Sequence, residues 1–348
     1  MNRQQLLQSI AATTADYRAG ELPAPTPAHV DRWVEQFNAD AQLPILSELD
    51  HVLKCTYFSR RNVESFLTGL VTNEKLAGAD PCAYWRKANF LDIQMHGHSQ
   101  KEMLSTFSDI LEDVCGITVD ECGSEDGDFI FLDDAIFSGT GVSQDLSAWI
   151  GTDAPAMAKV QVITIALYTG SEWVFRKPIA DAVERAGKKI SFHHWRVLDL
   201  ENQKNHKNIS EVYWPIGIPD YADVKAYVAS EKKFAFEPRK PGGKTGHPIF
   251  SSEEGRQILE TQFLSAGVRI RGFCNEPKPI LRPLGFSRFG LGFGSTIATY
   301  RNCPNNAPLA LWWGDPNAAK THPFSKWYPL LPRKTYNNGV ALDDFDIL

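Results

Sequence analysis

The sequence predicts an α/β protein: a parallel-sheet core, an N-terminal helical region before it and a C-terminal α+β extension after it. Three observations carry that expectation. Apolar residues recur at three- and four-residue intervals through 44-PILSELDHVLKCTYFSRRNVESFLTGLV-71. Past about residue 85, short apolar or β-branched runs alternate with helical patterns, the signature of a parallel sheet with right-handed crossovers. Beyond residue 200 both periods weaken. The expected organisation is a helical region over 1–80, an α/β core over 81–200, and an extension over 201–348 that packs on or completes the core.

The elements follow in order. Residues 1–20 read as a short amphipathic helix, and the proline-rich 22-LPAPTPAH-29 breaks it. Two or three helices occupy about 29–76. The run 89-NFLDI-93 is a strand, 94-QMHGHSQ-100 a loop, and 101-KEMLSTFSDILEDVCG-116 a helix stopped by Gly116. The stretch 117-ITVDECGSEDGD-128 offers an edge strand and a turn. A second strand, 129-FIFLDD-134, leads to a helix from about Val142 to Ile150. The β-branched 160-VQVITIALY-168 is a third strand. Residues 171–189 are helical, with Pro178 marking a break or a new start, and 190-ISFHHWRVLD-199 is a fourth strand. A helix capped by Ser251 or Ser252 covers about 252–267.

Composition narrows the function. A net charge of −6 carries no global nucleic-acid signature and argues against direct nucleic-acid binding. The N-terminus lacks the apolar core of a signal peptide, and no apolar run approaches the roughly 20 residues of a membrane span. The reading is cytoplasmic, with no membrane partner. The six cysteines form no CxxC and no zinc spacing, so they read as buried or inert thiols in a reducing cytosol. His96/His98 and His193/His194 are the only local histidine pairs, weak grounds for a metal site.

The stretch that carries chemistry is 129-FIFLDDAIFSGTGVSQDL-146. Adjacent carboxylates at a strand end are costly unless hydroxyls or a cation hold them. Asp133 and Asp134 can accept hydrogen bonds from a cis-diol or hold a divalent cation, Mg²⁺, directly or through water. In the loop that follows, Gly139 and Gly141 let backbone N–H groups converge on an anion, and the next helix aims its N-terminus there. Carboxylates for a sugar, with an anion cradle a few residues on, describe a ribose 5-phosphate site.

That stretch resembles the phosphoribosyl diphosphate signature of type I phosphoribosyltransferases. Phe129 to Leu132 fill the apolar run, Asp133 and Asp134 the acidic pair, and Ser138, Gly139, Thr140 and Gly141 the phosphate loop, with Phe137 beside it. Gly141 stands where the family usually has Thr or Ser; the backbone donors survive that change and one hydroxyl does not. The order of elements is similar too, which places His96, Gly97, His98, Ser99 and Gln100 as diphosphate-loop candidates by position. The resemblance covers roughly residues 85–200. It implies a phosphoribosyltransferase-like core that binds phosphoribosyl diphosphate or a nucleotide with Mg²⁺. Asp133 and Asp134 would be the catalytic residues and metal ligands, and the reaction glycosyl transfer or N-glycosidic cleavage. The segment before the aspartates leaves little room for the long catalytic loop of many transferases, so a non-catalytic nucleotide sensor or scaffold stands as the alternative. As a whole, the chain resembles a bacterial group of divergent phosphoribosyltransferase-like proteins, through 302-NCPNNAPLALWW-313 and 327-WYPLLPR-333. Members of that group are predicted effectors of anti-phage conflict systems, some beside retron reverse transcriptases, which implies a defence-system protein partner.

Other features have plainer readings. The glycines of 288-RFGLGFG-294 fit a tight turn better than a nucleotide loop. Trp312, Trp313, Trp327 and Tyr328 suit core packing, with base stacking the alternative. Asn302, Asn305 and Asn306 are turn formers. Arg239, Lys240 and Lys244 belong to a solvated basic loop, or to one that closes over a phosphate.

Overall fold

A computed structural model describes residues 1–95, 98–168, 172–200, 211–231, 236–240, 249–287 and 290–333. Among them the protein is α/β, with two sheets in which every strand pairing is parallel. From the N-terminus run α1 (Arg3–Thr13), α2 (Pro27–Val34), α3 (Ala39–Thr56), β1 (Tyr57–Phe58), α4 (Arg60–Val71), α5 (Glu74–Ala77) and α6 (Pro81–Lys87). Next come β2 (Asn89–Phe90), α7 (Ser99–Cys115), β3 (Phe129–Ile136), α8 (Thr140–Thr152), β4 (Met157–Tyr168), α9 (Glu172–Arg185) and β5 (Lys189–Leu200). The chain continues through α10 (Ala222–Ser230), α11 (Glu253–Arg271), β6 (Ala298–Thr299) and α12 (Leu309–Trp312). Two compact units result, one built on Arg61–Leu200, the other on Met1–Arg60 together with Glu201–Thr335.

The discontinuous unit is helical and aromatic. Asn2 and Gln5 form a capping box on α1, Thr26 caps α2 ahead of Pro27, and Ser252 caps α11. Short β1 and β6 pair in parallel. Trp312, Trp313 and Trp327 are core residues rather than stacking platforms. The Trp33 and Trp327 indoles both donate to the Ala310 carbonyl, at 2.8 and 3.0 Å. Gly290, Gly292 and Gly294 all have positive φ, and a Cβ on any of them would press into Trp214, the Leu284–Gly285 backbone or Tyr213. That stretch is therefore a turn packed on the core; Arg288 and Phe289 lie outside the described residues.

Arg239 corrects the reading of a solvated basic loop. It is 1% exposed and donates to Glu253 and Glu260. Glu260, itself fully buried, also accepts from Arg256 and from the Trp214 N–H. A charge this far from water persists only when each partner is bonded. Lys240 is exposed, and Lys244 lies outside the described residues.

The second unit holds a four-stranded sheet in the order β2-β3-β4-β5. Phe131, Val160 and Val162 meet Val142, Leu146 and Trp149 of α8 and Phe175 and Ile179 of α9 in one buried cluster. Near-continuous apolar runs such as Phe129–Leu132 and Val162–Leu167 are what a parallel sheet flanked by helices requires. Four expectations are corrected. Residues 117–128 hold no edge strand; a 3₁₀ turn at Val119–Glu121 takes its place, closed by a Thr118/Glu121 capping box. Pro178 sits inside α9 without ending it. The first strand is two residues, not five, because Ile93 and Gln94 give their N–H groups to a side chain. Finally, Cys82 and Cys115 form a disulfide that ties α6 to the end of α7; Cys55, Cys122, Cys274 and Cys303 stay as thiols. Spacing alone does not reveal such a pairing.

Two outcomes follow. The protein denatured without reductant should titrate four thiols, rising to six after reduction. Closing a loop over a separation of 33 residues should contribute about 3–4 kcal/mol, so Cys82→Ser/Cys115→Ser should unfold at a correspondingly lower denaturant concentration. His29 supplies a pH dependence. Its ring nitrogens bond the Tyr328 hydroxyl and the Leu330 carbonyl, each at 2.7 Å, and burial holds the imidazole below its ordinary 6.5. The unfolded chain takes up a proton as pH falls through about 6.5 while the folded chain resists it, so stability is lost on acidification. Between pH 7.5 and 5.5, the Tm of His29→Gln should fall less than that of the wild type.

Candidate functional site

Strand β3 delivers the acidic pair. Its first four residues fill the core, and it runs on through Asp133 and Asp134 to Ile136, two residues past the expected end. Asp133 is buried, opposite Thr164 on β4. Its Oδ1 accepts the Asp134 N–H at 2.8 Å, and Asp134 Oδ1 accepts the Ala135 N–H at 2.7 Å. The β3–β4 register keeps one offset on both sides yet passes over Asp134, whose N–H is spent on its neighbour's carboxylate. Asp134 is half-buried, so it is the more accessible carboxylate.

The loop after β3 turns sharply. Phe137 is half-buried, Ser138 exposed, and Gly139 buried with φ +75° as the N-cap of α8. Two facts require glycine there: L side chains rarely adopt that φ, and a Cβ would stand 2.7 Å from Cδ1 of Phe175. Ser138 Oγ accepts the Thr140 N–H at 3.4 Å, a weak turn contact. Among the described residues no side chain caps α8 from Gly139, so beyond the weak Thr140 contact the amides of its first turn are left for an anion, with the helix dipole behind them. Gly141, by contrast, has open space around it.

The loop after β2 is braced from within. Gln100 Oε1 accepts the N–H groups of Ile93 and Gln94 at 2.7 and 2.9 Å. Gln94 returns the bond through its Oε1 to the Gln100 N–H, at 3.0 Å, and donates to Ser99 Oγ at 2.8 Å. Gln100 is fully buried and its Nε2 finds no acceptor among the described residues. His98 is exposed at the N-cap of α7. His96 and Gly97 lie outside the described residues. Asp145, buried in α8, joins this loop to the other: its Oδ1 accepts the Met95 N–H at 3.1 Å.

Of the sequence candidates, the 133–141 stretch and the described part of the 94–100 loop thus share one end of the sheet. Sequence reasoning missed Gln94, Asp145 and Phe175. Asp145 left a signal: it interrupts the apolar helical face of Val142, Leu146 and Trp149 with a carboxylate. His193 is exposed and His194 rests beside Phe175, with ring centroids 5.5 Å apart. As neighbours on β5 they point to opposite faces. No group of three His, Cys, Asp or Glu suited to a metal ion occurs among the described residues. The aspartate pair alone still fits Mg²⁺, which commonly takes one or two carboxylates and completes its shell with water and ligand phosphates.

No helix of the described residues is long and apolar enough to cross a membrane. No curated protein and no solved structure matches the chain. The family model described as PRTase-CE matches residues 30–333, spanning the acidic pair, the glycine turn and the aromatic C-terminal stretch. The chain belongs to the PRTase-CE family and is a phosphoribosyltransferase-like protein.

Proposed function

We propose that the protein binds phosphoribosyl diphosphate, or a nucleotide with the same ribose 5-phosphate, at the end of β3. The observation that carries this reading is the passage from Asp134 through the left-handed Gly139 into the uncapped N-terminus of α8. A carboxylate for ribose hydroxyls and a ring of amides for a phosphate lie within one short loop.

In this reading Asp134 accepts hydrogen bonds from the ribose diol. Asp133 lies beneath it, fixes the strand end through the Asp134 N–H, and adds negative charge near C1. Positive charge develops at C1 as its bond to diphosphate or to a base breaks, and both carboxylates stabilise it. The electron pair leaves with diphosphate or base, and the new bond forms from C1 to an acceptor nitrogen or to water. Bound Mg²⁺, held by these aspartates through water, would neutralise the diphosphate. Glycosyl transfer or N-glycosidic cleavage is the reaction class, and an anti-phage effector working in the cytoplasm with a defence-system partner, such as a retron reverse transcriptase, is the setting. A disulfide such as Cys82–Cys115 would there belong with the uncommon, redox-responsive cytosolic bonds.

A second reading is a non-catalytic nucleotide sensor or scaffold. The connection from α7 to β3 favours it. Residues 116–128 contain one 3₁₀ turn, pinned by the Ser108 hydroxyl on the Val119 N–H, and no extended catalytic loop. Turnover decides between the two: product formation with saturating Mg²⁺ supports catalysis, and binding without product supports the sensor.

Titration calorimetry with phosphoribosyl diphosphate and a nucleotide panel tests the site. Asp134→Asn should weaken binding about 10- to 100-fold, the worth of hydrogen bonds to a charged group. Gly139→Ala should abolish binding, and Gly141→Ala, with open space around it, should stay within about threefold of wild type. Undiminished affinity in both Asp134→Asn and Gly139→Ala sinks the proposal.

A further inference from the structure

We propose that the outer edge of β5, with the groove that α9 leaves beside it, is a dimer surface for a second copy of this chain. The inference goes beyond the ribose 5-phosphate site and does not rest on it.

A cavity of about 480 Å³ opens between α9 and β5. Phe175 of the helix and Ile190, Phe192 and His194 of the strand form its floor, and Arg176, Ala180 and Glu184 of the helix stand exposed along it. β5 is the last strand of its sheet, and among the described residues no strand pairs with its outer edge. It runs for 12 residues, and an edge that long is a template for another strand unless something blunts it. Arg196 and Asp199 pair with each other at 2.6 Å near its far end. Residues 189–195 are the stretch before that pair.

Strand and helix are self-complementary at one level of the sheet. Only residues 186–188 connect them, so α9 runs antiparallel to β5, and Phe175 lies beside His194 with ring centroids 5.5 Å apart. Five residues down the helix, about 7.5 Å, bring Ala180 level with Phe192, two residues or about 6.6 Å down the strand. A two-fold axis normal to the sheet at that level pairs β5 antiparallel with its twin. Phe192 then meets its own copy, and Ile190 meets His194 of the partner subunit. Lys189 meets Trp195 of the partner subunit, a cation beside an indole. No like charges meet in this stretch. The same axis sets α9 beside its twin at about two strand spacings, roughly 10 Å, which is where helices pack. Ala180 allows the close approach on the axis. Arg176 and Glu184 lie four residues to either side of it, so each Arg176 faces Glu184 of the partner subunit. An isologous interface requires this match of one patch to itself. A partner of a single charge sign would repel either Arg176 or Glu184, and a second copy satisfies both.

Sedimentation equilibrium on the full chain tests the surface. At micromolar concentration the wild type should weigh twice the 38.9 kDa of one chain. Arg176→Glu and Glu184→Arg each replace two attractive pairs by two repulsive ones, and each alone should weaken the dimer by about tenfold or more. Both sites are exposed on α9, so neither change touches the core. The double variant Arg176→Glu/Glu184→Arg should restore the dimer to within about threefold of wild type. Mixing the two single variants should restore it too, because each copy then supplies the charges the other lacks. A wild type that stays a monomer overturns the proposal, whether a small ligand or another protein occupies the groove. A dimer that either single variant leaves unchanged, or that either the double variant or the mixture fails to restore, overturns it as well.

Discussion

The left-handed backbone at Gly139 is the constraint on which the candidate site depends. A strand must become a helix within three residues, over a core already filled by Phe175. Only a residue without a Cβ can hold φ +75° there and lie against that ring. The consequence reaches both ways along the chain. Upstream, β3 continues through Asp133 and Asp134 before it turns, which places the carboxylates beside the turn. Downstream, α8 starts at once, with its first amides uncapped. Widening the turn would cover the helix end or carry the aspartates away from it.

Rigidity elsewhere in this unit serves the same edge. Buried Gln100 is a brace rather than an exposed donor, and its bonds to Ile93 and Gln94 replace strand pairing that β2 would otherwise continue. A strand cut to two residues is a weak element on its own. Its loop is held instead by side chains that take backbone amides, Gln94 and Gln100 across six residues and Asp145 on the Met95 N–H across fifty. The disulfide fastens the opposite end of α7 to α6, so the helix that follows the loop is anchored at both ends.

Much of this was legible in the sequence, and the failures have physical causes. The β-branched run at 160–168 and the apolar run at 129–132 mark central parallel strands unambiguously, because only strands buried on both faces read that way. The Asp-Asp and Ser-Gly-Thr-Gly spacing located the turn, since glycine at a left-handed cap is a local requirement. What local rules cannot see are long-range pairings. Cys82 meets Cys115 and Arg239 meets Glu260 only once the chain has folded, and Arg239 read as a loop residue because its partners lie 14 and 21 positions away. Pro178 misled for the opposite reason: one absent N–H midway along a 14-residue helix is tolerated when the helix face packs well.

Electrostatics sharpen the functional reading. Asp133, Asp134 and Asp145 bring three carboxylates to the strand and helix that border the loop, in a chain of net charge −6. Two unit charges about 4 Å apart interact by about 1 kcal/mol in water and about 4 kcal/mol at a protein surface. A polyphosphate therefore meets substantial repulsion here, and backbone amides with half a unit of helix-end charge offset only part of it. The imbalance argues that any phosphorylated ligand arrives with a divalent cation, and that binding should respond to that cation more steeply than to monovalent salt. It also explains the geometry of the carboxylates. Both Asp133 and Asp134 turn one oxygen onto the strand's own N–H groups, which disperses their charge. A site selected for free phosphate would not carry these acids; one that must also favour positive character at a sugar carbon has use for them.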